Sequence, residues 1–386
     1  MTARIEIRGD TPAKLLQLLP RLGLEAVLRD GDVVSRPDRH TAAASFESSL
    51  ALRVQFGTDR TIDTGSPTPP NIVIGGDTDA GDSLVDFATD SPMAAACFIL
   101  SNALGLPSPI LTGDERLFEV ICSAIALAPG LAAVLVEGEI GVGKESLIKM
   151  IHAASGDPMG LLHAECAGLE ARFVEGEIAP LLTRAGAATK MDLQARGGTV
   201  FFDRIGELSA DAQVRLLSLI RRSVLTGRVH QSPIDRGELL SYRDSRAKVR
   251  LLAASTTPLA AMVARGEFLK ELQELFDTTL TIPPLRDRIG DLPILVRHAL
   301  RMRKSSLTLS AAALRHLSQY RFPGNLRELA NFVTRIAIVP ATPPIHYSGG
   351  GRGIGIVGRA EVIRQLAQPN LDSLWKLRAR STVGVG

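Results

Sequence analysis

Residues 134–155 read VLVEGEIGVGKESLIKMIHAAS: an apolar run, a glycine-rich turn and an amphipathic stretch in direct succession. The apolar run predicts a buried strand and KESLIKMIHAAS the helix that follows it. Between them, Gly138-x4-Gly143-Lys144, with Gly141 inside it, has the spacing of a phosphate-binding loop. Glycines admit unusual dihedrals and let backbone N–H groups approach phosphate oxygens. The Lys144 ammonium would reach the β- and γ-phosphates, and the helix would present its positive end to them. Glu145 stands where Ser or Thr usually helps to hold magnesium, which weakens the bare motif. The competing reading is a glycine-rich turn with an exposed lysine.

A second stretch, GGTVFFDRIGEL at 197–208, bears on the same chemistry. Asp203 ends an apolar strand, where its carboxylate can meet Mg2+ directly or through water; otherwise it is a strand-end or turn residue. Arg204 follows it, where hydrolysis would want a glutamate to polarise the attacking water. A guanidinium stays protonated and accepts no hydrogen bond, so it cannot serve as that base. Glu207 is the nearest candidate replacement, against the plainer readings of a cap on the next helix or a solvated carboxylate.

Around these stretches, DERLFEVICSAIALA reads as a helix, KVRLLAAS as a short apolar strand and SADAQVRLLSLIRRSVL as a helix. Helical patterns dominate 311–339, with YRFPGN as the turn between two of them. The expected fold is therefore α/β: a P-loop nucleotide-binding domain with a helical lid. Ahead of it, ARIEI, TPAKLLQLLPRLG, EAVLRD and NIVIGG suggest a small α/β unit, and TDRTIDTGSPTPP a loop. The expected boundaries are 1–108 for the small unit, 109–285 for the nucleotide-binding part, 286–342 for the lid and 343–386 for a tail. The tail opens as the Pro- and Gly-rich ATPPIHYSGGGRGIGIVG, read as a linker with little to pack, before two short helices, the second holding Trp375. Pro369 and Asn370 interrupt this region, no recognition helix is legible, and direct DNA binding is not expected.

The chain of 386 residues is 45 % hydrophobic and 22 % charged, a globular composition, and its net charge of +3 gives a weak case for nucleic acid. Cys97, Cys122 and Cys166 lack metal-like spacing and read as buried thiols of a reducing compartment. MTARIEIRGD has no apolar core of a signal peptide. SPMAAACFILSNALGLPSPIL is broken by Ser, Asn, Gly and Pro and predicts a buried helix rather than a membrane span. The expected location is the cytoplasm, with no membrane contact.

From about Leu111 to Val339 the chain resembles the central AAA+ domain of the sigma-54-dependent transcriptional activators, the bacterial enhancer-binding proteins. The resemblance rests on the order of VLVEGEIGVGKESLIKMIHAAS, GGTVFFDRIGELSADAQVRLLSLI, VRLLAAS, ARGEF, IPPLRDRIGDLPILVRHAL and FPGNLRELANFVTRIAIV. It implies a ring-forming ATPase that remodels sigma-54 RNA polymerase, preceded by a sensory domain such as a receiver and followed by a helix-turn-helix. It also accounts for Glu145 and makes Arg327, in PGNLRE, the lid arginine that senses nucleotide, against a plain salt-bridge role.

The departures are as informative. The sigma-contacting loop GAFTGA is absent from FVEGEIAPLLTRAGAATKMDLQARGGT, although Glu175 and Glu177 keep the acidic stretch before it. The family's sensor asparagine falls on Thr256, whose hydroxyl still bonds but with shorter reach. Its trans-acting arginines fall on Leu269 and Leu275. What remains, Gly138, Gly141, Gly143, Lys144, Glu145, Asp203, Thr256 and Arg327, is what mainly holds nucleotide. The resemblance and its gaps together imply a regulator that binds ATP or ADP with Mg2+, hydrolyses ATP weakly or not at all, and works through a partner such as an intact sigma-54-dependent activator, in homo- or hetero-oligomers. Two alternatives stay open: an active ATPase with rearranged chemistry through Glu207 or a partner residue, and an interaction protein without nucleotide.

Overall fold

A computed structural model of the chain describes residues 3–8, 13–29, 50–56, 71–74, 91–157, 159–191, 198–223, 249–303, 305, 307–338, 346–348, 354–357, 362 and 366. Outside these lie Asp10 and Asp30, the loop at 58–70, the Arg-rich segment 224–248 and nearly all of the tail after 357. The chain divides into two compact units, Met1–Pro283 and Pro284–Gly386.

The first unit opens with four strands: β1 (Ala3–Arg8), β2 (Leu24–Arg29), β3 (Leu50–Phe56) and β4 (Asn71–Ile74). All pair in parallel, in the order β2-β1-β3-β4. Doubly wound sheets of the flavodoxin type begin with this order. β3 is missing from the expected elements although LALRVQF sets Leu50, Leu52, Val54 and Phe56 at alternate positions. Pro92–Ala103 is a helix capped by the Ser91 hydroxyl, with Ala94 through Ser101 buried. Its 12 residues span roughly 18 Å, well short of a bilayer core. Among the described residues no helix is long and apolar enough to cross a membrane.

A second parallel sheet carries the glycine-rich loop. Its strands are β5 (Val134–Glu137), β6 (Leu162–Glu165), β7 (Thr199–Asp203), β8 (Arg250–Ser255) and β9 (Thr278–Thr281), in the order β6-β7-β8-β5-β9. Every residue of β5 and β8 is buried, as expected for central strands covered on both faces. β6 lies at the edge, and its residues alternate buried and exposed. Phe202, Leu251, Leu216 and Ile178 join strands and covering helices in one apolar core. Arg250 is 2 % exposed and donates to the carbonyls of Leu127 (3.0 Å), Ala128 (2.8 Å) and Ala132 (3.3 Å). A cation there closes the negative end of the helix Glu115–Leu127 and satisfies carbonyls that the helix leaves open.

The second unit packs the helices Leu292–Met302, Ala311–Leu317 and Asn325–Ile338 around Val296, Leu317, Phe332 and Val333. It is not purely helical. β10 (Leu307–Leu309), β11 (His346–Ser348) and β12 (Ile354–Val357) form a small sheet in the order β10-β12-β11. The glycine-rich stretch expected as a linker thus supplies the central strand, and Val357 and Val362 are buried in the unit's core. Glycine content masked the apolar residues interleaved with it in GIGIV. In the YRFPGN turn, Phe322 and Asn325 take positive φ (47° and 50°), and the buried Asn325 Oδ1 accepts the Leu285 N–H at 2.8 Å.

Candidate functional site

Ligands of open parallel α/β sheets bind beyond the carboxyl ends of the strands. At that edge β5 runs into the loop. Gly138, Gly141 and Gly143 take φ of 152°, 77° and 109°. A Cβ on Gly138 would stand 2.9 Å from the Ile282 carbonyl oxygen, so this position needs glycine for space as well as for conformation. The helix Lys144–Ser155 starts at once, with Gly143 as its cap and no side chain on its first amides. Those donors and the helix dipole make an anion cradle. Lys144 is only 8 % exposed, and its Nζ donates to the carbonyls of Gly138 (2.6 Å) and Glu139 (2.9 Å). Glu145 is exposed and pairs with Lys149 at 2.7 Å along the helix.

The sequence reading passed over Glu137, the last residue of β5. It is buried, and its Oε1 accepts the Leu259 N–H at 2.7 Å. Burial raises its pKa above the ordinary carboxylate value and the amide partly offsets this. An acid closing an otherwise apolar strand immediately before the loop was the available signal. Glu137 ties the root of the loop to the helix Leu259–Ala264, which follows Thr256. Thr256 itself is half-buried just past the end of β8, and the Gly138 N–H donates to the neighbouring Ser255 carbonyl at 3.2 Å.

Two strand spacings of about 4.8 Å separate β5 from β7, which puts Asp203 about 10 Å across the edge from the loop's strand. Asp203 is half-buried and paired in register with Glu165 of β6. Burial, and then the charge of Glu165, push its pKa up. Arg204 sits in the left-handed region at φ 53°. Its Nη2 lies 2.9 Å from Glu165 Oε2, and its Nη1 3.8 Å from Glu207 Oε2. Burial alone would raise the Glu165 pKa, but the bond from Arg204 and the Ala167 N–H outweigh it and hold Glu165 low. Glu207 is therefore drawn to Arg204. The cap of the next helix is Ser209, whose hydroxyl accepts the Ala212 N–H at 3.3 Å. Cys166 beside them is buried, its thiol pushed up to about 12 by burial and then by Glu165 and Asp203, which leaves it unreactive.

The family's other functional positions are remade as structure. Leu269 and Leu275 pack against the core that contains Phe268 and Leu272. Of the interval expected to lack the sigma-contacting loop, the described part forms one helix, Val174–Met191, with Pro180 inside it. Glu175 on that helix pairs with Arg222 at 2.6 Å. In the second unit Arg327 is exposed in the first turn of the helix Asn325–Ile338, and among the described residues it makes no ion pair.

The Sigma-54 interaction domain profile matches residues 110–279, and the AAA+ ATPase lid domain profile residues 286–348. The Nif-specific regulatory protein of Rhizobium leguminosarum bv. trifolii is 35 % identical over 245 residues, covering 60 % of this chain and 66 % of that one. The anaerobic nitric oxide reductase transcription regulator NorR of Escherichia coli O9:H4 is 30 % identical over 359 residues, covering 82 % of this chain and 68 % of that one. A crystal structure of NtrX from Brucella abortus in complex with ATP aligns with a TM-score of 0.48 at 18 % identity, covering 88 % of this chain and 83 % of that one. The chain spans between about half and two thirds of the length of the curated relatives it matches.

Proposed function

The chain belongs to the family of sigma-54-dependent transcriptional activators, and from that premise we propose that it binds ATP or ADP with Mg2+, hydrolyses ATP weakly or not at all, and regulates transcription through a protein partner. One observation carries the reading: glycines at positive φ, a helix N-terminus and the buried Lys144 stand together after β5, while the residue after Asp203 is a guanidinium already tied to Glu165 and Glu207. Binding energy for a nucleotide comes from phosphate and cation contacts, so losing the water-orienting group need not cost affinity. Gly138, Gly141, Gly143 and Lys144 would hold the phosphates, Asp203 the Mg2+, Thr256 a polar contact to the nucleotide, and Arg327 would report it to the lid.

The partner best suited to the losses is an intact activator in a mixed ring. Such a subunit would lend its trans-acting arginines, whereas Leu269 and Leu275 return none. The helix Val174–Met191 in place of the contact loop argues against direct work on sigma-54 by this subunit. The N-terminal sheet, by its strand order, suits a degenerate receiver-like module.

Fluorescent-nucleotide titration and steady-state ATPase assays test this together. Tight Mg-nucleotide binding weakened at least tenfold in Lys144→Ala, with turnover near background, is the expected pair of results. Turnover at the rate of an intact activator overturns the hydrolysis-deficient part, and a large further drop in Glu207→Ala would identify the rearranged base. Binding that ignores Lys144→Ala would leave an interaction protein without a nucleotide site.

A further inference from the structure

We propose that the ends of β6 and β7 form a transition-metal site in which His163 Nε2 and the carboxylates of Glu165 and Asp203 bind one divalent ion such as zinc without nucleotide. Strand geometry brings the three together. Alternate residues of a strand share a face, so His163 and Glu165 point to one side of β6, while Leu162 and Ala164 are buried on the other. The parallel register then sets Phe201 opposite His163 and Asp203 opposite Glu165. The imidazole stacks on the Phe201 ring, with centroids 5.0 Å apart and planes 10° from parallel, which fixes its orientation on the sheet. Nε2 lies 3.9 Å from Asp203 Oδ2, and the ligand atoms of all three residues fall within 4.8 Å of one another.

An ion with bonds of about 2.0–2.2 Å to nitrogen and oxygen needs ligand atoms roughly 3–4 Å apart. Movement of about 1 Å by exposed side chains closes that gap. Glu165 already accepts from Arg204 (2.9 Å) and from the Ala167 N–H (3.0 Å). Each carboxylate oxygen retains a second lone pair, so these donors stay in place and orient the ligand from behind. The two carboxylates supply two negative charges and Arg204 returns one, leaving a net anionic face for a dication. The donor set selects among metals. Imidazole suits zinc, iron, cobalt and nickel, whereas Mg2+ demands oxygen ligands and sheds its water reluctantly.

Asp203 is shared with the nucleotide reading, but His163 and Glu165 are not, so the two ideas separate by mutation. The full chain, free of nucleotide, is titrated with Zn2+ and Mn2+ by calorimetry and with Co2+ by visible absorption. One site is expected, with Zn2+ favoured over Mg2+ by at least a hundredfold. His163→Ala, Glu165→Gln and Asp203→Asn should each weaken Zn2+ and Co2+ at least tenfold, and Lys144→Ala should leave both unchanged. The Co2+ spectrum of His163→Ala reports loss of the nitrogen ligand directly, and its unfolding midpoint confirms that the variant is folded. Zn2+ or Co2+ affinity unchanged by His163→Ala, or no binding to the parent chain, overturns the site. Mg-nucleotide binding that survives either result leaves the nucleotide reading standing, whereas metal binding alongside loss of all nucleotide binding would overturn only the latter.

Discussion

The ends of β5 and β7 lie two strands apart on one sheet edge and handle charge in opposite ways. Beyond β5, the charged groups are buried: Lys144 lies against loop carbonyls, and Glu137 lies beneath them with one amide for a partner. Beyond β7, Arg204 is shared between the carboxylates of Glu165 and Glu207 near solvent, and a net negative charge remains. The first end is specified by space and backbone conformation and tolerates little. The second is a surface ion-pair cluster whose members can be exchanged without disturbing the fold. On the proposed reading, binding and hydrolysis draw on different ends, so one can persist without the other.

The contrast breaks most easily at Gly138. Gly138→Ala sets a Cβ against the Ile282 carbonyl at a backbone conformation that L side chains rarely adopt, and should cost about 2–4 kcal/mol in chemical denaturation and abolish nucleotide binding. A stable variant that still binds nucleotide would mean the loop is not the cradle its geometry suggests. Lys144→Ala comes next. Losing one charge-assisted contact to phosphate should weaken nucleotide binding roughly 10- to 100-fold in a titration, with a smaller change in stability.

Glu137 gives the contrast a pH signature. Its pKa is raised in the folded chain, so folding takes up a proton as pH falls from the raised value toward the unfolded one. The carboxylate therefore subtracts from stability at neutral pH and subtracts less on acidification. Glu137→Gln should raise the melting temperature at pH 7, with the gain shrinking toward the ordinary carboxylate range. A gain independent of pH would assign the effect to packing. Arg204→Ala should do least, changing stability by about 0.5 kcal/mol or less because its ion pairs are exposed. ATP turnover in that variant should stay at background, since alanine puts no carboxylate beside Asp203 where the attacking water would be polarised. A rise in turnover would show that Arg204 alone was the block.

Much of this was legible in the sequence because the decisive features are local. The strand–loop–helix succession at 134–155 needs only periodicity and glycine spacing, and Arg204 next to Asp203 declares its chemistry by residue type. Two kinds of feature escaped. β12 was hidden because glycine suggests a linker by composition, while its central place depends on β10, far earlier in the sequence, as well as on the nearby β11. Glu137, the Arg204–Glu165 pair and the His163–Phe201 stack were hidden because they join neighbouring segments whose register no single stretch encodes. Glu207 shows the same limit: its attraction to Arg204 rather than to the next helix rests on the left-handed turn at Arg204.

The posture of Lys144 has a consequence for any affinity measured on this protein. Its ammonium grips the carbonyls of Gly138 and Glu139, so an arriving phosphate enters as a competitor for a hand already held. The observed binding constant is then an exchange constant, the difference between two charge-assisted contacts rather than the strength of one.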